Sequence, residues 1–168
     1  METLLTRYQD LFHDTPLKST IAAKHEIDTG HHQPIRSAPY GVSQLEREAI
    51  NAQVEEMLQA GIVKPSSSPW SSPVVMVPQK NGELHFCIDY RRLNAITIRD
   101  VYPLPRIDDF LDHLGGATVF TCLDLKSGYW QIPVGKSSQS KTAFVTPDGL
   151  YESTRLPFGL CNGPASFQ

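Results

Sequence analysis

Phe120-Thr-Cys-Leu-Asp-Leu-Lys-Ser-Gly-Tyr-Trp-Gln-Ile132 sets one carboxylate, Asp124, behind an apolar stretch and an aromatic pair, Tyr129 and Trp130, just past a Ser127-Gly128 turn. The apolar residues ahead of Asp124 predict a strand over Thr118–Asp124, and a second short strand is expected near Trp130 to Val134. A carboxylate at a strand end can coordinate Mg²⁺ while apolar neighbours fix its position, and an aromatic ring a few residues on can floor a nucleotide pocket.

Upstream of this stretch, Pro103 and Pro105 precede Ile107, Phe110, Leu111 and Leu114, which share one helical face, and Gly115-Gly116 ends that helix. Further back, Val74 to Val77 read as a short strand and Lys80-Asn81-Gly82 as a hairpin turn. Leu84, Phe86 and Ile88 alternate on the return strand. Ser43-Gln44-Leu45-Glu46 is a capping-box pattern; with Ile50, Val54, Met57 and Leu58 at helical spacing and Gly61 as a stop, it predicts a helix from Gln44 to Ala60. Between that helix and the hairpin, Pro65–Pro73 is rich in serine but encloses Trp70, which predicts an ordered surface loop. Downstream, a second hairpin joins Lys141–Thr146 to Leu150–Leu156 through Pro147-Asp148-Gly149. Helix, hairpin, helix, strand and hairpin in that order define an α+β fold.

Residues 1–42 carry Pro16, Gly30, Pro34 and Pro39 and little sustained period, so an amphipathic stretch around Leu4 to Phe12 is expected to lead into an extended arm or linker. The chain thus divides into a leading segment, 1–42, and a folded part, 43–168. At the other end, Gly163-Pro164-Ala-Ser-Phe-Gln168 reads as the first turn of a helix, which gives the expectation of a fragment.

Of 168 residues, 40% are hydrophobic and 20% charged, which suits one buried core and excludes collagen, coiled coil and wholesale disorder. No apolar run is long enough for a membrane-spanning helix and the amino terminus lacks a signal-peptide pattern, so a cytoplasmic or nuclear protein is expected. Cys87, Cys122 and Cys161 have no Cys-x-x-Cys spacing, and no His/Cys spacing matches a zinc module. The net charge of −3 divides into −4 over residues 1–60 and +1 over 61–168, so overall electrostatics do not identify a partner.

Taken together, Phe86-Cys-Ile-Asp-Tyr-Arg-Arg-Leu-Asn94, Tyr102-Pro-Leu-Pro105, Leu123–Ile132, Lys141-Thr-Ala-Phe144 and Leu156-Pro-Phe-Gly-Leu-Cys-Asn162 resemble the reverse transcriptase of gypsy-type long-terminal-repeat retrotransposons. The resemblance covers Ser43–Gln168 as the fingers and first part of the palm of a right-hand polymerase. Residues 1–42 resemble the segment leading in from the protease side of a Pol polyprotein. It implies RNA-directed DNA synthesis on a primed RNA or DNA template from deoxynucleoside triphosphates, with two Mg²⁺ ions in the complete site. The remainder of the Pol polyprotein is an implied partner, and a virus-like particle in the cytoplasm an implied location.

By the same resemblance Asp124 is the first catalytic carboxylate and the carbonyl of Leu125 a second metal ligand. Tyr129 lies under the incoming sugar, Phe158 forms another wall of that pocket, and Lys80 at the fingers tip reaches the triphosphate. Arg91 and Asn94 hold the template strand. Read without the family, Tyr129 is a core tyrosine, Phe158 packing, Lys80 a solvated tip, and Arg91 the partner of Asp89.

Two positions depart from the family. His85 stands where relatives commonly have an arginine, and neutral imidazole cannot supply that permanent bidentate charge; Ser153 stands where an aromatic is common. The family's Tyr-x-Asp-Asp turn, which brings the other carboxylates, is missing from these residues, and the fragment is expected to stop before that hairpin. Asp108-Asp109 is no substitute, since its apolar neighbours place it in a first helical turn. Repulsion between two divalent ions must be offset by several anions, so the chain alone is expected to be inactive. The alternative from another class is a non-catalytic remnant that binds nucleic acid or protein.

Overall fold

Ser43 and Glu46 form the reciprocal bonds that their spacing calls for. The Ser43 hydroxyl accepts from the Glu46 amide at 3.3 Å and the Glu46 carboxylate accepts from the Ser43 amide at 2.7 Å. The helix so started, α1 (Gln44–Gln59), buries Ile50, Val54 and Met57 on one face. Bonding to Ser43 holds the Glu46 carboxyl below its usual range. The computed structural model describes residues 6–8, 23–80, 82, 84–102, 106–122, 124–125 and 127–168.

The α1 face packs on a five-stranded sheet. Its strands are β1 (Val63–Pro65), β2 (Ser72–Pro78), β3 (Leu84–Ile88), β4 (Phe144–Thr146) and β5 (Gly149–Ser153), in spatial order β1-β5-β4-β2-β3. The two hairpins, β2–β3 and β4–β5, are antiparallel, as expected from their turns. They join through a short parallel pairing of Ser72 and Pro73 with Phe144 and Val145. Val63, Val74, Met76 and Phe144 complete the core under α1. A second core gathers Trp70, Tyr90, Leu93, Ile132, Leu156 and Leu160, with Leu93 supplied by a short helix, α2 (Arg91–Ile96). Trp70 in this core confirms that the serine-rich run before β2 is ordered.

The leading segment runs extended from residue 23 and is tied to the body. The His25 amide donates to Pro133 O at 2.9 Å, the Ile27 amide to Ser138 Oγ at 2.9 Å, and Lys141 Nζ to Ile27 O at 2.6 Å. Ser138 belongs to a one-turn helix, α4 (Lys136–Gln139), and His25, Ile27 and Thr29 are all buried. Most of the expected amphipathic stretch, Leu4 to Phe12, lies outside the described residues, as do Asn81, Pro103 and Pro105.

Helix α3 (Ile107–Leu114) forms with Asp108 and Asp109 in its first turn, as its apolar spacing requires. None of its residues is buried; Ile107 is 77% and Leu111 61% exposed. Two expectations need correction here. The described residues of Thr118–Asp124 form no strand: Val119 and Phe120 stay exposed, and a strand persists only where a ladder partner takes up its amides and carbonyls. Nor do Trp130–Val134 form a strand. Residues Gly128–Gln131 make a 3₁₀ turn, because the left-handed Ser127 sends the chain into a tight reversal, and only Pro133 and Val134 make isolated bridges.

Candidate nucleotide and template site

Ser127 adopts φ +49°, the one positive φ at a non-glycine residue among those described. For an L-residue this costs roughly 1 kcal/mol, so the surroundings must hold it. The Trp130 amide closes the turn on Ser127 O at 2.9 Å. Gly128 is required next to it. A Cβ there would lie 2.8 Å from the Phe167 ring, which instead closes onto the turn from the last helix, α5 (Gly163–Phe167). The reversal separates exposed Asp124 and Leu125 from the Tyr129 ring, which is half-buried.

Tyr129 stacks on Phe158 with ring centroids 5.0 Å apart and planes 20° from parallel, and touches Phe167 at 5.3 Å. Trp130 meets Phe158 edge-on at 6.5 Å. Phe158 remains 58% exposed, so the stack presents an open aromatic wall rather than a sealed core. The structure therefore brings Tyr129 and Phe158 together.

The loop bearing Phe158 is fixed from both sides. Leu156 is fully buried and its amide donates to Ile132 O at 2.8 Å. Gly159 takes φ +93°, and the Asn94 side chain spans the turn, donating to Gly159 O at 2.7 Å and accepting from the Cys161 amide at 2.9 Å. Asn162 does the same for the segment after α2: Nδ2 donates to Ile98 O at 2.8 Å and Oδ1 accepts from the Asp100 amide at 3.0 Å. Asn162 was visible in sequence only as a motif letter. Its positioning role requires a contact between distant segments, for which one sequence carries no signal.

Arg91 forms a fork with Asp89: Nε to Oδ1 at 2.8 Å and Nη2 to Oδ2 at 2.6 Å, and the Tyr40 hydroxyl adds a bond to Oδ2 at 3.2 Å. These bonds, the Arg91 side chain first among them, hold the Asp89 carboxyl at about 2. The Arg91 side chain is nonetheless 84% exposed, so its outer face is open to a further anion. Lys80 stands exposed at the β2–β3 tip, where the Gly82 amide closes the turn on Gln79 O at 3.0 Å. His85, in register with Val77 on β3, is also exposed.

The metal question turns on the donor set. Among the described residues no three His, Cys, Asp or Glu side chains gather closely enough to hold an ion. Asp124 with the Leu125 carbonyl is a hard oxygen pair of the right type for Mg²⁺, yet it lacks the anions that two ions demand. The described residues do not fit a two-ion centre. Asp108 is no surrogate, being engaged by Arg106 at 3.2 Å on an exposed helix.

Two hairpins joined in one sheet and an open aromatic wall past the exposed Asp124 define part of a right-hand polymerase fold. The chain belongs to the reverse transcriptase (RNA-dependent DNA polymerase) family, whose sequence model matches residues 77–168. Among curated proteins, the retrovirus-related Pol polyproteins from transposons 297 and opus of Drosophila melanogaster are 41% and 44% identical across all of this chain. The chain spans only 16% and 17% of their lengths. The polyprotein from transposon gypsy of the same organism is 40% identical over 91% of the chain.

Among solved structures, prototype foamy virus protease-reverse transcriptase superposes with a TM-score of 0.80 at 26% identity, covering 99% of this chain and 23% of that one. The foamy viral protease-reverse transcriptase in complex with an RNA/DNA hybrid gives 0.78 at 25%, covering 98% and 22%. The α+β fingers and palm fold expected from the motifs is thus the fold observed. Reverse transcriptases generally use divalent metal ions. Among the described residues no helix is long and apolar enough to cross a membrane.

Proposed function

We propose that this chain is the fingers and opening palm of an RNA-directed DNA polymerase from a retrotransposon Pol polyprotein, and that these 168 residues do not polymerise by themselves. The observation that carries the reading is the open Tyr129–Phe158 stack beside the Ser127 reversal that leads back to Asp124. An incoming deoxynucleotide would rest its sugar on Tyr129, whose bulk leaves no room for a ribose 2′-hydroxyl, with Phe158 as the adjoining wall. Lys80, exposed on a hairpin tip, has the reach and point charge to meet a triphosphate.

Arg91, its guanidinium set by Asp89, would present its outer face to a template phosphate, and Asn94 would act there by holding the Gly159–Cys161 turn. Asp124 and the Leu125 carbonyl are this chain's share of an oxygen-donor set whose other anions come from elsewhere in the Pol protein. Mg²⁺ bound in such a set would neutralise charge on the reacting phosphates.

Two measurements on the purified chain test this. Fluorescence anisotropy with an RNA/DNA hybrid should show binding that weakens steeply with salt and weakens further in Arg91→Ala. Primer extension with all four deoxynucleotides and Mg²⁺ should give no product. Salt-insensitive or absent hybrid binding would overturn the template assignment, and template-dependent incorporation abolished by Asp124→Ala would overturn the claim of inactivity.

A further inference from the structure

Behind Phe158 the fold leaves a hollow of about 140 Å³. It is lined by Met57 of α1, Ile62 and Val63 before and in β1, Phe86 of β3, Trp130 and Ser153 of β5. Ser153 is 2% exposed, and among these large side chains it is the small one. Its polar groups are turned to other work: its amide donates to Thr142 Oγ1 at 2.9 Å and its side chain bonds the buried Tyr90 hydroxyl. The Tyr90 hydroxyl in turn donates to Thr142 O at 2.7 Å. The lining is therefore mostly apolar, and Pro157, Phe158 and Gly159 contribute to it.

A mostly apolar, partly open hollow of this size, lined by aliphatic and aromatic groups, suits a small molecule of one or two aromatic rings. The Trp130 and Phe86 rings can meet such a molecule edge to face, and the Met57 thioether adds a sulfur–aromatic contact. Charged ligands are excluded, because no wall residue offers a compensating charge apart from His85 at the rim. We propose that this hollow is a binding site for small, flat, uncharged aromatic molecules of one or two rings. Because Phe158 and Trp130 bound both the hollow and the Tyr129 stack, an occupant would restrain the Phe158 turn from behind. The site itself follows from cavity shape and chemistry alone, and stands whether or not Tyr129 and Phe158 handle nucleotides.

The test uses indole as the probe, titrated into the 168-residue chain and followed by methyl NMR. Saturable shifts should centre on the methyls of Met57, Ile62 and Val63, persist at high salt, and be absent with benzoate. Ser153→Phe, which fills the hollow, should weaken indole binding by at least about tenfold while keeping a native-like spectrum. Should that variant not fold, Ser153→Leu serves the same purpose. The proposal is overturned if no saturable shifts occur in the parent chain, if they fall on the exposed face of α3 instead, or if a folded filling variant binds indole as well as the parent.

Discussion

Replacing Asn94 by Ala should loosen the loop that carries Phe158 and cost stability that a residue merely touching template would not. The substitution removes two hydrogen bonds, to Gly159 O at 2.7 Å and from the Cys161 amide at 2.9 Å. At about 0.5–1.5 kcal/mol each, the loss is about 1–3 kcal/mol. Asn94 lies within α2, where Ala is the better helix former by about 0.5 kcal/mol, which offsets part of it. The net is about 1.5 kcal/mol. For 168 residues, unfolding entropy of about 2.1 cal/mol/K per residue converts this to a fall in Tm of about 4 °C. Urea titration by circular dichroism should show a lower midpoint at unchanged slope. Asn94→Asp should be at least as damaging at pH 7, since it sets a carboxylate oxygen against the Gly159 carbonyl. An Asn94→Ala chain with parent Tm and midpoint, but with weakened hybrid binding, would refute the positioning argument and return Asn94 to direct template contact.

Other outcomes follow from the same contacts. His25 is 1% exposed, its Nδ1 2.7 Å from Ser166 Oγ, and burial lowers its pKa below 6.5 despite the opposing pull of Glu26. The unfolded chain then binds the proton more readily, so stability should fall as pH drops through 6.5 and level off below the folded value, and His25→Asn should flatten that part of a urea-midpoint profile. Gly135→Ala would set a Cβ against Glu26 Oε1, forcing the carboxylate off Ser137 and Ser138. It should cost about 1 kcal/mol in the parent and much less in a Glu26→Ala background, a coupling that a double-mutant cycle reads directly. On α3, Phe110→Glu with Leu111→Glu should change stability by less than about 0.5 kcal/mol while reducing light scattering at high concentration, because both side chains are exposed.

What could be read from sequence was whatever one segment decides alone. The Ser43/Glu46 box, the α1 stripe and both hairpin turns depend on neighbours within a few residues, and all formed where expected. The strand over Thr118–Asp124 failed for the opposite reason: its apolar pattern supplies a propensity, while a ladder needs a partner that the described residues do not provide. β1 was hidden inside a run read as helix end and loop, since Val63–Pro65 becomes a strand only through its register with Tyr151–Ser153. For the site, residue types named Tyr129 and Phe158, but their stacking, the Asn94 and Asn162 clamps and the hollow over Ser153 arise from long-range packing.

The strand order β1-β5-β4-β2-β3 also bears on how such a chain is made. In the sheet, Val63 pairs with Ser153 and Ser72 with Phe144, partners that lie on opposite sides of the whole excursion through α3 and the Asp124 stretch. Of these elements α1, the β2–β3 hairpin and α2 can form from residues already synthesised when that excursion is emerging from the ribosome. The centre of the sheet must wait for β4 and β5, which favours slow folding limited by long-range closure. Until then the apolar surface that α1 and the hairpin turn toward Phe144 stands uncovered, so nascent chains of this type are expected to depend on holding chaperones during that interval.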